Sequence, residues 1–170
     1  SNKTISNSFD KELDEQKELL SVLSSMESNI NRFCFEMYGL KFETAEIEDE
    51  VTYQERSVSD LTQQVISFSV GCMIGRYSLD QEGLVFAHAG NDGFDKLVHE
   101  GAYKTFPADE DGIIPLTDQE WFKDDATNRF REFVQVVWGA DHLHENLDFV
   151  AESLCLNAIK PKKSESALET

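Results

Sequence analysis

The sequence predicts a mainly α domain of about four helices with a small irregular or β-ribbon insertion. Three observations carry that reading. Apolar residues recur at three- and four-residue spacing over residues 9–38, 57–75, 117–139 and 141–154. Glycines close the first and third patterns, at Gly39 and Gly139. Extended apolar runs are short and confined to residues 80–116.

In the first helix Leu19, Leu23, Met26, Ile30, Phe33 and Met37 follow one another at intervals of 4, 3, 4, 3 and 4, a narrow seam of coiled-coil type. Such a seam needs a partner, which in a longer parent chain is a preceding domain. Residues 11–17 are almost wholly charged and read as projecting toward solvent. Residues 1–8 are polar and small and read as a frayed stretch, with Ser1-Asn2 as a tag-cleavage scar. The acidic run ETAEIEDE, residues 43–50, reads as a solvated loop.

Ser57 or Ser59 can cap the second helix. There Val58, Leu61, Val65, Ile66, Phe68, Val70, Cys72, Met73 and Ile74 surround the axis, as in a central buried helix. The insertion comes next, with residues 84–86 and the run DGIIPL at 111–116 as two short segments able to pair as a ribbon. Thr117-Asp118-Gln119-Glu120 forms a capping box, after which Trp121, Phe122, Phe130, Phe133, Val134 and Val137 point inward. Asp141 can cap the last helix, where Leu143, Leu147, Val150 and Leu154 keep helical spacing. Residues 9–157 thus read as one helical domain, between N-terminal residues 1–8 and a polar linker tail at 158–170.

Thirty-three acidic against fifteen basic side chains give a formal net charge of −18. That field repels phosphate and argues against an independent nucleic-acid binder, so any DNA contact has to be local. No apolar run approaches the roughly 20 residues of a membrane span, and a cytoplasmic protein is expected. The three cysteines, Cys34, Cys72 and Cys155, are distant from one another and sit among apolar neighbours, which fits free thiols better than a disulfide framework.

The chemistry-bearing patterns are weak. PADEDGIIPLTD imitates a calcium loop at Asp109, Asp111 and Gly112, but its first position is Pro107 and its twelfth is the short Asp118. His142 and His144 are two apart, whereas helical metal pairs stand three or four apart. His88 and His99 have no Cys or Asp partner at useful spacing. No nucleophile elbow, phosphate loop or dinucleotide turn occurs, so catalytic, cofactor-binding and metal residues are all expected to be absent.

One stretch stands out. In GCMIGRYSLD, residues 71–80, Gly71 and Gly75 are four apart, which on a helix puts both on one face and lets another backbone approach. Arg76 and Tyr77 then close the helix, the guanidinium suited to the last carbonyls, a nearby carboxylate or a DNA phosphate.

NINRFCFEMYGL (29–40), SFSVGCMIGRYSLD (67–80) and FPADEDGIIPLTDQEWFKDDATNRFREFVQVVWG (106–139) together resemble, in that order, the segment after the catalytic domain in PglX-type adenine-specific DNA methyltransferases of BREX phage-defence systems and related type II restriction-modification enzymes. The resemblance spans about residues 28–154. It implies a parent enzyme that carries a methyl group from S-adenosylmethionine to the exocyclic amine of a flipped adenine in duplex DNA. The family's Asn-Pro-Pro-Tyr and glycine-rich cofactor loop have no counterpart here, so no catalytic residue is carried over and S-adenosylmethionine is expected to bind the parent outside this chain. The implied role is a non-catalytic helical spacer between the methyltransferase and target-recognition parts, touching DNA through the parent enzyme. The competing expectation is an acidic helical module that docks another defence-system subunit with no direct DNA contact.

Overall fold

The computed structural model describes residues 4–39, 55–88, 90–117 and 122–154. Five helices succeed one another: α1 (Ile5–Met37), α2 (Val58–Met73), α3 (Phe94–Glu100), α4 (Ala126–Trp138) and α5 (Leu143–Ser153). The mainly α expectation holds. Among the described residues there is no strand, so the expected ribbon is absent. Val85 donates its N–H to the carbonyl of Arg76 at 3.0 Å, and Ala126 donates to Pro115 at 2.9 Å. Each extended segment is therefore tied to a helix end, which removes the ladder that would have joined them.

The chain divides into two compact units, residues Asn7–Ser57 and residues Ser1–Ser6 with Val58–Thr170. In the first, α1 stops where expected, with Gly39 left-handed at φ 64 and its N–H on the carbonyl of Glu36. Its early turns carry the pairs Lys11–Glu15 at 3.3 Å and Lys17–Asp14 at 3.5 Å, and Arg56 reaches Glu12 at 3.5 Å. The acidic run at 43–50 and the tail at 158–170 lie outside the described residues.

In the second unit α2, α4 and α5 pack on one another. Cys72, Met73, Phe106 and Phe133 form the core, with Val65, Tyr77, Leu79, Ile114, Phe130, Val137 and Trp138 against them. Phe133 is its hub: it meets Phe106 edge-on at 5.5 Å, and Phe68 and Trp138 at 6.2 and 6.3 Å. Burial pushes the Cys72 thiol up to about 11, so it acts as a small apolar side chain. α2 is not buried all round, because Phe68 and Val70, and Ile74 just past its end, remain 38–43% exposed.

Three further boundaries differ from the sequence expectation. The first helix begins at Ile5, not near residue 9; Thr4 and Ile5 are buried, and the N–H of Ile5 donates to Asn146 Oδ1 at 2.8 Å. α4 opens at Ala126, because the buried Asp125 accepts the N–H groups of Thr127 and Asn128 and so caps it. The expected capping box at 117–120 falls largely outside the described residues, and Phe122 is non-helical and half exposed. The last helix is preceded by His142, not Asp141, and no side chain caps it. Finally, α3 is a seven-residue helix inside the expected irregular region, framed by left-handed Gly93 and Gly101.

Candidate functional site

The stretch at 71–80 is the end of α2 and the turn that sets the direction of the chain beyond it. Gly75 is left-handed at φ 75, its N–H donates to the Cys72 carbonyl at 3.1 Å, and the Arg76 N–H reaches the Gly71 carbonyl at 2.8 Å. This pair of bonds is the Schellman closure of a helix, with Gly75 as the residue just past the end. Gly75 is therefore outside the helix, and the expected shared face of Gly71 and Gly75 does not exist. A Cβ at Gly75 would also stand 2.7 Å from the Phe94 ring.

Gly71 is needed for another reason. A Cβ there would lie 2.3 Å from Cδ2 of Tyr77, so the glycine admits an aromatic ring and not a second backbone. Tyr77 turns back over the helix it has just left and stacks on Phe68 at 5.3 Å and 25°. Gly71 and Tyr77 are six residues apart in sequence, and only the reversal at Gly75 lets them meet.

The turn is stapled to residues 102–109. Tyr103 donates its hydroxyl to the Gly75 carbonyl at 2.6 Å, and the Asp109 N–H donates to the Met73 carbonyl at 2.7 Å. These two donors satisfy the carbonyls at the helix end, the task expected of the Arg76 guanidinium. The buried Ser78 hydroxyl donates to the Ala102 carbonyl and accepts the Asp80 N–H at 2.9 Å. Asp80 in turn accepts the hydroxyl of Thr105 at 2.5 Å and its N–H at 2.8 Å. Those Thr105 bonds, hydroxyl first, hold the Asp80 carboxyl below its ordinary range. Tyr103, Thr105 and Asp109 carry half of this arrangement, and no spacing rule links them to residues some 25 or more positions earlier.

Beside the turn, α2 and the residues just past its end border an open groove of about 660 Å³, lined among others by Asp60, Gln64, Ser67, Phe68, Arg76 and Tyr77. Arg76 is exposed at its rim. The four residues of this stretch thus have separate tasks: Gly75 reverses the chain, Gly71 seats Tyr77, Tyr77 joins the core, and Arg76 contributes its backbone to the cap and its side chain to the groove.

The remaining candidates disperse. In the calcium-like loop, Asp109 accepts the N–H groups of Asp111 and Ile113, each at 3.2 Å, and Asp111 accepts that of Ile113 at 2.8 Å. These carboxylates serve their own turn, and Asp118 lies outside the described residues. His142 meets Glu145 at 3.0 Å and His144 meets Asp148 at 3.5 Å, so the two imidazoles belong to different pairs. The His99 ring nitrogen contacts the Asp95 carbonyl at 2.6 Å. No group of three or more metal-ligating side chains occurs among the described residues, nor any helix long and apolar enough to cross a membrane.

No family model matches the chain. It is 54% identical over 172 residues to the adenine-specific methyltransferase BrxX of Escherichia coli O9:H4 (strain HS), a match that covers 91% of this chain and 14% of that protein. It is 34% identical over 157 residues to the adenine-specific methyltransferase PglX of Lacticaseibacillus casei (strain Zhang), covering 90% of this chain and 12% of that protein. The chain therefore spans about one seventh of the length of the curated relatives it matches. By sequence it is similar, over nine-tenths of its length, to one segment of the PglX- and BrxX-type adenine-specific methyltransferases, the family its three ordered segments resemble.

Proposed function

We propose that this chain is a non-catalytic helical segment of a cytoplasmic DNA adenine methyltransferase of the BREX phage-defence or restriction-modification type, and that it holds the catalytic and target-recognition parts at a fixed separation. S-adenosylmethionine and DNA are then the cofactor and substrate of the whole enzyme, and no residue here binds the cofactor. The observation that carries the reading is the stapled turn at 75–80, in which five hydrogen bonds to residues 85 and 102–105 lock the exit of α2. A rigid spacer suits base flipping, because a displacement of about 1 Å can cost a factor of about 100 in rate. In this reading Arg76, exposed beside an open groove of mixed polar and apolar lining, is the side chain available to a DNA phosphate.

The test is the full-length enzyme with Ser78→Ala and Thr105→Val together, which loosens the turn without touching a cofactor site. Adenine methylation is expected to fall about tenfold or more while S-adenosylmethionine affinity stays within about twofold. Unchanged methylation overturns the positioning role. Titrating this chain alone with short duplex DNA at low and physiological salt tests Arg76 separately: salt-sensitive binding that Arg76→Ala weakens supports the contact, and no binding at low salt removes it.

A second reading comes from the net charge of −18. An acidic helical module could dock a basic defence-system subunit without approaching DNA. Lysine substitutions in EIEDE, residues 46–50, then weaken that association, and they leave the positioning role unaffected.

A further inference from the structure

α1 carries a stripe that nothing among the described residues covers. Leu19 is 54% exposed, Met26 57%, Ile30 61%, Phe33 63% and Met37 65%, with Leu23 at 40%. Their 4, 3, 4, 3, 4 spacing is that of a helix whose side chains fit between those of a second helix. A contiguous apolar face of this kind marks an interaction surface, unlike the single exposed apolar residues common on any protein.

We infer that this stripe docks an amphipathic helix supplied by another part of the same methyltransferase polypeptide, apolar at three- and four-residue spacing and bearing lysine or arginine along its edges. The inference rests on the reading of the chain as a methyltransferase segment.

Three features select that occupant. The first is size. From Leu19 to Met37 the stripe is about 27 Å long, which with a helix width near 10 Å gives a footprint on the order of 300 Å², below the roughly 800 Å² per partner of a stable interface between separate molecules. A tethered helix needs less, because its effective concentration is in the millimolar range. The second is charge. In the early turns Lys11, Lys17 and Arg56 pair with Glu15, Asp14 and Glu12. Along the stripe, Glu27 and Glu36 stand at the positions directly beside the apolar rows, and among the described residues no lysine or arginine pairs with either; Arg32 lies farther out, turned to Asn29 at 3.1 Å. A second copy would bring the same acidic edges and a further net −18, whereas a basic-edged helix answers them. The third is supply: the chain covers 14% and 12% of its two relatives, so most of such a polypeptide lies outside it.

The experiment places the photo-cross-linking residue p-benzoylphenylalanine at Ile30 of the full-length polypeptide and identifies the attached peptide by mass spectrometry. The expected attachment is to a helix-forming peptide outside residues 1–170 with basic edges. Phe33→Glu with Met26→Glu, both at exposed positions, should cut the yield at least tenfold with unchanged circular dichroism. Attachment within residues 40–54, to a second copy, or to nothing overturns the inference. So does light scattering of this chain alone at twice its 19.3 kDa mass, since the stripe would then pair with itself. Methylation is assayed on the same samples: a cross-link as expected in a polypeptide that methylates no adenine supports the dock and sinks only the methyltransferase reading.

Discussion

Asn146 on α5 accepts the backbone N–H of Ile5 at 2.8 Å across 141 positions of sequence. Both residues are almost fully buried, so this one bond satisfies a donor of the first turn of α1 that would otherwise lose its water. It anchors the start of the chain to the helical unit that resumes at Val58. Asn146 Nδ2 has no partner among the described residues, so the side chain is held for its oxygen alone.

Asn146→Ala is therefore expected to lower stability by about 1–3 kcal/mol, the cost of a stranded buried donor. Removing residues 1–5 should do less damage in the Asn146→Ala background than in the native chain, since the two changes delete one shared bond. Urea unfolding of the four proteins checks this. Strict additivity would mean that the bond contributes nothing.

The meeting of Gly71 and Tyr77 gives the second prediction. Gly71→Ala gains up to about 1 kcal/mol of helix propensity, but its Cβ would stand 2.3 Å from the tyrosine ring. Overpacking costs about 1–3 kcal/mol, so the net effect on the thermal midpoint should be a decrease. In a Tyr77→Ala background the same change should become neutral or stabilising. A rise in midpoint for Gly71→Ala alone would show that the ring is not seated there.

The helices were legible where apolar spacing runs long, as in α1 and α2, because the 3.6-residue period outlasts chance. Their ends were legible only when the chemistry of the end is local. Gly39 and Gly139 announce a stop by themselves, whereas Ile5 starts a helix because of Asn146, which no local pattern can supply. In the candidate site the need for small residues at 71 and 75 could be read, and the two different reasons could not. One depends on a ring six residues ahead and the other on a left-handed turn, and both stem from a chain reversal that the sequence does not display. The missed α3 is seven residues long, too short for periodicity to register. The expected ribbon failed because each of its two apolar runs has a helix end to bind instead of the other run.

Asp125 supplies the third prediction. Its Oδ1 accepts the N–H groups of Thr127 and Asn128 at 2.8 and 3.1 Å, and Oδ2 accepts the Thr117 hydroxyl at 3.3 Å. Asp125→Ala should cost about 1–2 kcal/mol, and Asp125→Ser, which keeps an acceptor at the cap, should recover most of it. Equal loss in both variants, measured by chemical denaturation, would mean that the side chain matters for its packing and not for the cap.

Asp80 makes the last prediction one of pH. Hydrogen bonds from the Thr105 hydroxyl and N–H favour the ionised carboxylate, so its folded value lies below the ordinary one near 3.9. A carboxyl depressed by folding contributes stability that is fully present above its unfolded value and is lost as pH falls through the folded one. Native protein should accordingly exceed Thr105→Val in stability at pH 7, and the gap should narrow below about pH 4. An NMR titration of the Asp80 carboxyl should show a midpoint under the ordinary value that rises in Thr105→Val. If the stability gap stayed constant across that window, Thr105 would act by shape alone, and the clasp between the exit of α2 and the turn at 102–105 would not depend on the charge of Asp80.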